Sequence, residues 1–290
     1  MAALYLGDAR AEHDRRKLKA AFYESADYRT LIESDSKAIV VGRRGVGKSA
    51  LFIRLSEYYS EAERTEVISF APEEHEIIGF RPVAKLFDGK FHLVRSATRL
   101  VFRYALMMEV VESLSRGYKY KQCQSASALA PYLDKWRQRN GLLTRARLAL
   151  EKAAEGVSDA ETRIGALASK LNISEVEHHL SDVLDELNRQ VVILVDRLDE
   201  GYEPDEAGIG IVDGFIHAAI DLRDRLPICR SLLFLRDNIF RAVEHHDQDF
   251  SRNLEQSVLR LHWDERALLT FAANRIRDAA QIRAEKSIKV

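Results

Sequence analysis

Residues 42–49 read Gly-Arg-Arg-Gly-Val-Gly-Lys-Ser and directly follow an apolar run at 38–41. This spacing fits G-x-x-x-x-G-K-[ST], in which glycines let backbone amides wrap around phosphate groups at the start of a helix. Lys48 would reach the β- and γ-phosphate oxygens, and the Ser49 hydroxyl would bind Mg²⁺. The predicted phosphate-binding residues are Gly42, Arg43, Arg44, Gly45, Val46, Gly47, Lys48, Ser49 and Ala50.

A second set of reactive groups follows the apolar run 191–195, where the chain continues Asp-Arg-Leu-Asp-Glu. Asp196, at the end of that run, could hold Mg²⁺ through a water molecule, beside the Ser49 ligand. Attack on a γ-phosphate also needs an acid that orients or deprotonates a water molecule. The position directly after Asp196, where a glutamate usually lies, is occupied by Arg197. The next acids along the turn are therefore the candidates, with Glu200 first and Asp199 second. For each of these acids, a charged turn that caps the strand is the structural alternative.

Five short apolar runs, rich in β-branched residues, would supply the strands that position these groups. They lie at 38–41, 66–70, 191–195, 231–235 and 258–262, and polar or helical sequence follows each of them. This alternation predicts a doubly wound α/β fold with a five-stranded parallel sheet.

The remaining sequence is predicted to be helical and to belong to the same single domain of 290 residues. Helices at 1–37 would precede the first strand, and residues 264–290 would form a partial lid helix. Residues 71–190, between the second and third strands, show little strand character and are expected to form a long helical insertion. Within the insertion, residues 141–170 carry many charges and are expected to form an exposed helical hairpin.

The acidic turn resembles that of known nucleotide hydrolases. Residues 196–200 look like the acidic signature of NACHT ATPases and resemble the Asp-Asp-Leu-Asp of KAP ATPases. Both belong to the STAND branch of the additional-strand P-loop NTPases, which are related to AAA+ proteins. The resemblance implies a further strand between the phosphate-loop strand and the acidic strand. The chain as a whole is similar to a poorly characterised group of bacterial P-loop ATPases from defence-like contexts.

A third match lies at residues 231–238, Ser-Leu-Leu-Phe-Leu-Arg-Asp-Asn. This segment resembles the strand end of STAND proteins whose arginine senses the γ-phosphate. The resemblance therefore implies that role for Arg236, whose planar guanidinium suits a phosphate. An ion pair of Arg236 with Asp237, Asp199 or Glu200 is the alternative.

The sequence favours adenine over guanine as the base, because the chain lacks the N-K-x-D motif that reads guanine. In related ATPases the region ahead of the phosphate loop flanks the adenine. Phe22, Tyr23 and Tyr28 are therefore candidates for base contact, and packing in the core is the alternative for each.

The cysteines and histidines show no spacing typical of a metal site. Cys123 and Cys229 are far apart in the sequence, so a reduced, intracellular setting is expected. His245 and His246 precede Asp247, but adjacent histidines point in different directions on a helix. We therefore predict Mg²⁺ at Ser49 and Asp196 as the metal of this protein.

These patterns predict an ATPase of low turnover that binds ATP and Mg²⁺ and acts as a nucleotide-dependent switch or assembly module. The resemblance implies a setting in bacterial antiviral defence or signalling, with a homo-oligomer or an effector protein as partner.

A nucleic-acid-dependent AAA+-type ATPase is the alternative, although 44 Lys+Arg against 45 Asp+Glu give a net charge of −1 and offer it no support. A phosphotransferase would need an arginine-rich lid, which the sequence does not reveal. With no run long enough to span a bilayer, a cytoplasmic protein without a membrane partner is expected.

Overall fold

A computed structural model describes residues 5–8, 10–138, 141–198, 200–247, 250 and 254–280. Five parallel strands form one sheet in the order β2-β3-β4-β1-β5. The strands are β1 (Ile39–Gly42), β2 (Thr65–Phe70), β3 (Gln190–Val195), β4 (Cys229–Arg236) and β5 (Val258–Arg260). The predicted α/β fold with a five-stranded parallel sheet is therefore confirmed.

The strand order brings the ends of β1, β3 and β4 to one edge of the sheet. Strand β4 lies between β1 and β3, with Gly42 opposite Arg236 and Val195 opposite Leu233. In a parallel sheet all carboxyl ends point the same way, and ligands bind in the crevice outside them. The loop after β1, the acidic turn after β3 and the last residue of β4 thus share this edge.

Helices cover both faces of the sheet and form the rest of the described chain. They are α1 (Arg15–Ala21), α2 (Ala26–Glu33), α3 (Lys48–Glu61), α4 (Glu74–Phe80), α5 (Phe91–Leu114), α6 (Ala126–Trp136), α7 (Leu142–Ala154), α8 (Ala160–Lys170), α9 (Ile173–Leu187), α10 (Glu206–Arg225), α11 (Asp237–His246) and α12 (Glu265–Ala279). Short 3₁₀ segments lie at Arg81–Phe87, Tyr118–Gln122 and Glu255–Ser257. Helices α4 to α9 all lie between β2 and β3, so the described part of 71–190 is helical. None of the described helices is long and apolar enough to cross a bilayer.

The hydrophobic core is divided by the sheet into two parts. The smaller part packs α2 and α3 on one face and includes Leu31, Leu55 and Phe234. The larger part surrounds α5, which is buried on nearly all sides because it carries apolar residues around its whole circumference.

The expectation of an exposed helical hairpin at 141–170 is wrong. Helices α7 and α8 do occupy this segment, but Leu143, Leu150 and Leu167 are buried in the larger core. Their apolar stripes pack inward, and one of the charges that suggested exposure, Arg145, also faces α5 and pairs there with Glu109 and Glu112.

Helices α5 and α10 cross so closely that glycine is required at the crossing. A β-carbon on Gly214 would lie 2.0 Å from the Thr98 hydroxyl oxygen and 2.8 Å from the Arg95 carbonyl oxygen. The same hydroxyl oxygen lies 2.7 Å from the Val94 carbonyl oxygen on its own helix and 3.1 Å from the Gly210 carbonyl oxygen on α10. The insertion is thus in direct contact with α10, the helix that follows the acidic turn.

We expect Gly214→Ala to destabilise the protein in urea unfolding measurements. Overpacking at a crossing of this kind costs about 1–3 kcal/mol, which exceeds the ~1 kcal/mol that alanine gains over glycine as a helix former. Gly165→Ala on α8 is the matched control, because a β-carbon there meets nothing within 4 Å. The control variant should have a higher free energy of unfolding than the wild type. An equal increase in the free energy of unfolding in both variants would contradict the close crossing.

Candidate functional site

The loop after β1 turns into α3 through two glycines with left-handed backbone angles. Gly45 has φ 83° and Gly47, the N-cap of α3, has φ 101°. Side chains other than glycine rarely adopt these angles, so the loop needs glycine at both positions. Arg43 and Arg44 are exposed, and the loop is therefore open to solvent on their side.

Lys48, the first residue of α3, folds its side chain back over the loop. Its Nζ donates hydrogen bonds to the carbonyl oxygens of Gly42 at 2.8 Å and Arg43 at 3.0 Å. The ammonium is thereby held above the concave side of the loop, where the amides at the start of α3 also contribute partial positive charge. This arrangement favours an anion at the loop.

Ser49 and Asp196 are brought into direct contact although 147 positions separate them in the sequence. The Ser49 hydroxyl donates to Asp196 Oδ2 at 2.8 Å, and Asp196 is only 4% exposed. The backbone N–H of Asp196 donates to the Phe70 carbonyl at 3.0 Å, which fixes the turn after β3. At 2.8 Å the contact between Ser49 and Asp196 is an ordinary O–H···O hydrogen bond. It brings the two predicted Mg²⁺-binding side chains together, where an ion bound by the Ser49 oxygen could also be held by Asp196 through water.

The acidic turn is held by its arginine. Arg197 has φ 63°, forms an ion pair with Glu12, and places its Nε 3.7 Å from Glu200 Oε1. The N–H of Glu200 donates to the Arg197 carbonyl at 3.0 Å. Glu200 is thus positioned by a cation at the same edge as Asp196. Asp199, the second candidate for positioning water, lies outside the described residues.

Arg236 ends β4 directly opposite Gly42 and is half-buried. Its neighbour Asp237 forms ion pairs with Arg241 at 3.0 Å and with Arg260 at 3.6 Å. Asp237, one of the alternative partners considered for Arg236, is therefore engaged by other arginines. The register places Arg236 at the same edge as the loop, as a γ-phosphate sensor requires.

Trp263, which the sequence analysis did not single out, contacts the phosphate loop. Its indole Nε1 donates to the carbonyl of Val46 at 2.8 Å. Its ring centroid lies 5.9 Å from that of Tyr23 and 5.5 Å from that of Phe271. The local sequence around Trp263 does not signal this contact, because the acceptor on Val46 is 217 positions away.

The three aromatic residues ahead of the loop separate into two groups. Tyr28 is buried and packs edge-on against Phe22, with ring centroids 4.9 Å apart. The guanidinium of Arg54 lies over the Phe22 ring at 5.3 Å. Tyr23 instead lies beside Trp263 and therefore near the loop. Of the three, Tyr23 has the position that base contact would require.

Ionic contacts connect the N-terminal segment to two parts of the site. Glu12 pairs with Arg197 in the acidic turn, whereas Asp14 pairs with Arg275 on α12. Asp14 and Arg275 are both buried, at 4% and 8% exposed. The segment before α1 thus spans from the acidic turn to α12, the helix predicted to act as a partial lid.

No family model matches the chain, and no solved structure matches it. The putative transposon gamma-delta 80.3 kDa protein of Escherichia coli (strain K12) is 45% identical over 285 residues, which cover 98% of this chain and 41% of that protein. The chain therefore spans about two-fifths of the length of this relative. Allergen Alt a 2 of Alternaria alternata is 46% identical over 57 residues, which cover 20% of this chain and 30% of that protein.

We expect Trp263→Phe to loosen the phosphate loop without unfolding the protein. The substitution removes one hydrogen bond of about 1 kcal/mol, so hydrogen exchange of the amides at residues 45–47 should accelerate by about 5-fold. Trp136→Phe is the control. Trp136 lies on α6, and its indole donates a hydrogen bond to Glu109 on α5 at 3.0 Å, which the substitution also removes. Equal loop exchange in both variants would show that Trp263 does not support the loop.

Proposed function

We propose that this chain is an additional-strand P-loop NTPase that binds Mg²⁺-ATP and hydrolyses it slowly. The observation that carries this proposal is the 2.8 Å contact between the Ser49 hydroxyl and the Asp196 carboxylate beside the loop that holds Lys48. The position of β4 between β1 and β3 supports the additional-strand class, because the resemblance implied a strand there. The Ser49–Asp196 contact and the register of the sheet both favour a site at this edge.

Each group at the edge has a role in phosphoryl transfer to water. The loop amides and Lys48 bind the phosphates, while Ser49 and Asp196 hold the metal. When bound, Mg²⁺ neutralises charge on the β- and γ-phosphate oxygens. Glu200 orients the attacking water and accepts its proton, and Arg236 stabilises the charge on the γ-phosphate oxygens. ATP and water give ADP and inorganic phosphate.

The contacts around the site are suited to a switch. An ATP-dependent switch needs two conformations that differ in affinity for the γ-phosphate. Trp263 joins the loop to the segment before α12, and the N-terminal segment joins α12 to the acidic turn. Rearrangement of the loop on binding would therefore reach α12 and expose or order a surface for a second copy or an effector protein. Bacterial defence or signalling is the setting that the family resemblance implies.

A nucleic-acid-dependent ATPase is the second candidate. The name of the E. coli relative associates that protein with a transposon. If this chain were a DNA-dependent ATPase, DNA would stimulate its turnover. Turnover assays with and without duplex DNA, combined with binding at low and moderate salt, separate the candidates. Absence of salt-dependent DNA affinity removes the second candidate.

We expect Lys48→Ala to weaken Mg²⁺-ATP binding by about 10- to 100-fold, since a charge-assisted hydrogen bond is worth about 1.5–3 kcal/mol. Calorimetry measures the effect. Lys37→Ala is the matched control, because Lys37 also donates to two backbone carbonyls, of Gln256 at 2.8 Å and Val258 at 3.2 Å. The control should bind ATP like the wild type. Equal losses in both variants, or no heat from wild type, would exclude the proposed site.

We expect Glu200→Gln to retain ATP affinity and to lower turnover by about 10²- to 10⁴-fold, because glutamine cannot accept the proton of the attacking water. Phosphate release under saturating ATP measures turnover. Glu203→Gln, in the same turn region and paired with Arg81 at 2.8 Å, is the control that should keep wild-type turnover. Unchanged turnover in Glu200→Gln would transfer the role to Asp199 or to a partner subunit.

A further inference from the structure

A cluster of three potential metal ligands lies on α10 and at the end of α11, apart from the phosphate-loop set. Asp213 and His217 are four residues apart on α10 and therefore share one face of the helix. Asp247 directly follows α11. One side-chain atom from each of the three residues lies within 4.8 Å of the others.

Asp213 is the member of the cluster that most needs a ligand. Its side chain is 0% exposed, and among the described residues neither carboxylate oxygen accepts a hydrogen bond. Burial, with the nearby charge of Asp247 as a second cause, raises the pKa of Asp213 to about 7. A buried carboxylate that accepts no hydrogen bond is costly to ionise, and such groups are normally protonated, paired with a cation or bound to a metal. A cation between the two carboxylates would relieve this cost.

Two of the three distances between the ligand atoms are close to the spacing that a metal ion imposes, and the third is within 4.8 Å. His217 Nε2 lies 3.4 Å from Asp213 Oδ1 and 3.1 Å from Asp247 Oδ2. Zinc binds such ligands at about 2.0–2.1 Å, which places neighbouring ligand atoms about 3.4 Å apart in a tetrahedron. An ion could therefore bind the three atoms with only small side-chain movements.

The charges around the cluster also allow a divalent cation. Arg95 Nη1 lies 2.8 Å from Asp247 Oδ2 and 3.8 Å from Asp213 Oδ2, so it is a cation that competes with a metal ion for both carboxylates. Its side chain is 30% exposed and can move toward solvent when an ion takes its place. Arg99 is held by Asp221 through two contacts at 2.6 Å, although its charge also acts on Asp213 and Asp247.

We propose that Asp213, His217 and Asp247 form a second metal site, which binds a divalent transition-metal ion of the Zn²⁺ type with water as the remaining ligand. The imidazole favours zinc and its neighbours over Mg²⁺ or Ca²⁺, which prefer oxygen ligands alone. The ion would fasten the end of α11 to α10. Since α11 begins immediately after Arg236, the metal would stabilise the helix that supports the proposed γ-phosphate sensor.

The test is Zn²⁺ binding to tag-free, chelator-treated full-length protein without nucleotide, so its outcome is independent of ATP binding. Calorimetry of the wild-type protein should show heat of Zn²⁺ binding, and the melting temperature of the protein should rise with added Zn²⁺. His217→Gln and Asp213→Asn should each lower Zn²⁺ affinity at least ~10-fold. Asp213→Asn keeps the size of the side chain and removes its charge, so the variant should fold as the wild type does.

An exposed group of His178, His179 and Asp182 on α9 provides the control, because its ligand atoms also lie within 4.8 Å of one another. His178→Gln should keep the high-affinity Zn²⁺ site. Co²⁺ bound in place of Zn²⁺ gives a visible spectrum that reports the ligand set, and the spectrum should disappear in His217→Gln. Loss of binding in His178→Gln instead, unchanged affinity in both cluster variants, or no Zn²⁺ binding by the wild type would each overturn the proposal.

Discussion

The contact between the Ser49 hydroxyl and the Asp196 carboxylate is the interaction on which the candidate site depends. It joins the first turn of α3 to the end of β3, two elements that are remote in the sequence. The contact requires β4 to lie between β1 and β3 with the strand ends aligned, because one strand spacing more or less would separate the two side chains. It also satisfies a nearly buried carboxylate, which would otherwise carry a desolvation cost. The Ser49–Asp196 contact therefore forms only with this order of strands in the sheet.

A second layer of contacts holds the loop and the acidic turn from outside the sheet. The Trp263 indole supports the loop, and Arg197 is held between Glu12 and Glu200. These partners come from the two ends of the described chain. The edge that carries the candidate site is consequently stabilised by segments that a minimal five-stranded core would not contain, and the positions of loop and turn are coupled through them.

The strands, the phosphate loop and the edge at which they meet could be predicted because their signals are local. Apolar runs of fixed period and a spaced glycine motif need no knowledge of distant partners. The burial of α7 and α8 could not be predicted in this way, since it depends on α5, which their own sequence does not specify. Trp263 was missed for the same reason, because its acceptor, Val46, lies 217 positions away.

The histidine cluster shows the same limit for metal ligands. The sequence drew attention to His245 and His246 beside Asp247, which are neighbours in the chain. The structure instead brings Asp247 to His217 and Asp213 on another helix, a juxtaposition that only the packing of α10 against α11 creates. Residue types identify possible ligands, whereas tertiary packing decides which of them meet.

The close crossing of α5 and α10 has a mechanical consequence. Because a β-carbon does not fit where the helices touch, α5 and α10 are in close contact at Gly214. Helix α10 begins at Glu206, shortly after Glu200, so the insertion is connected through α10 to the acidic turn. A displacement of the insertion would therefore also shift the helix that follows this turn.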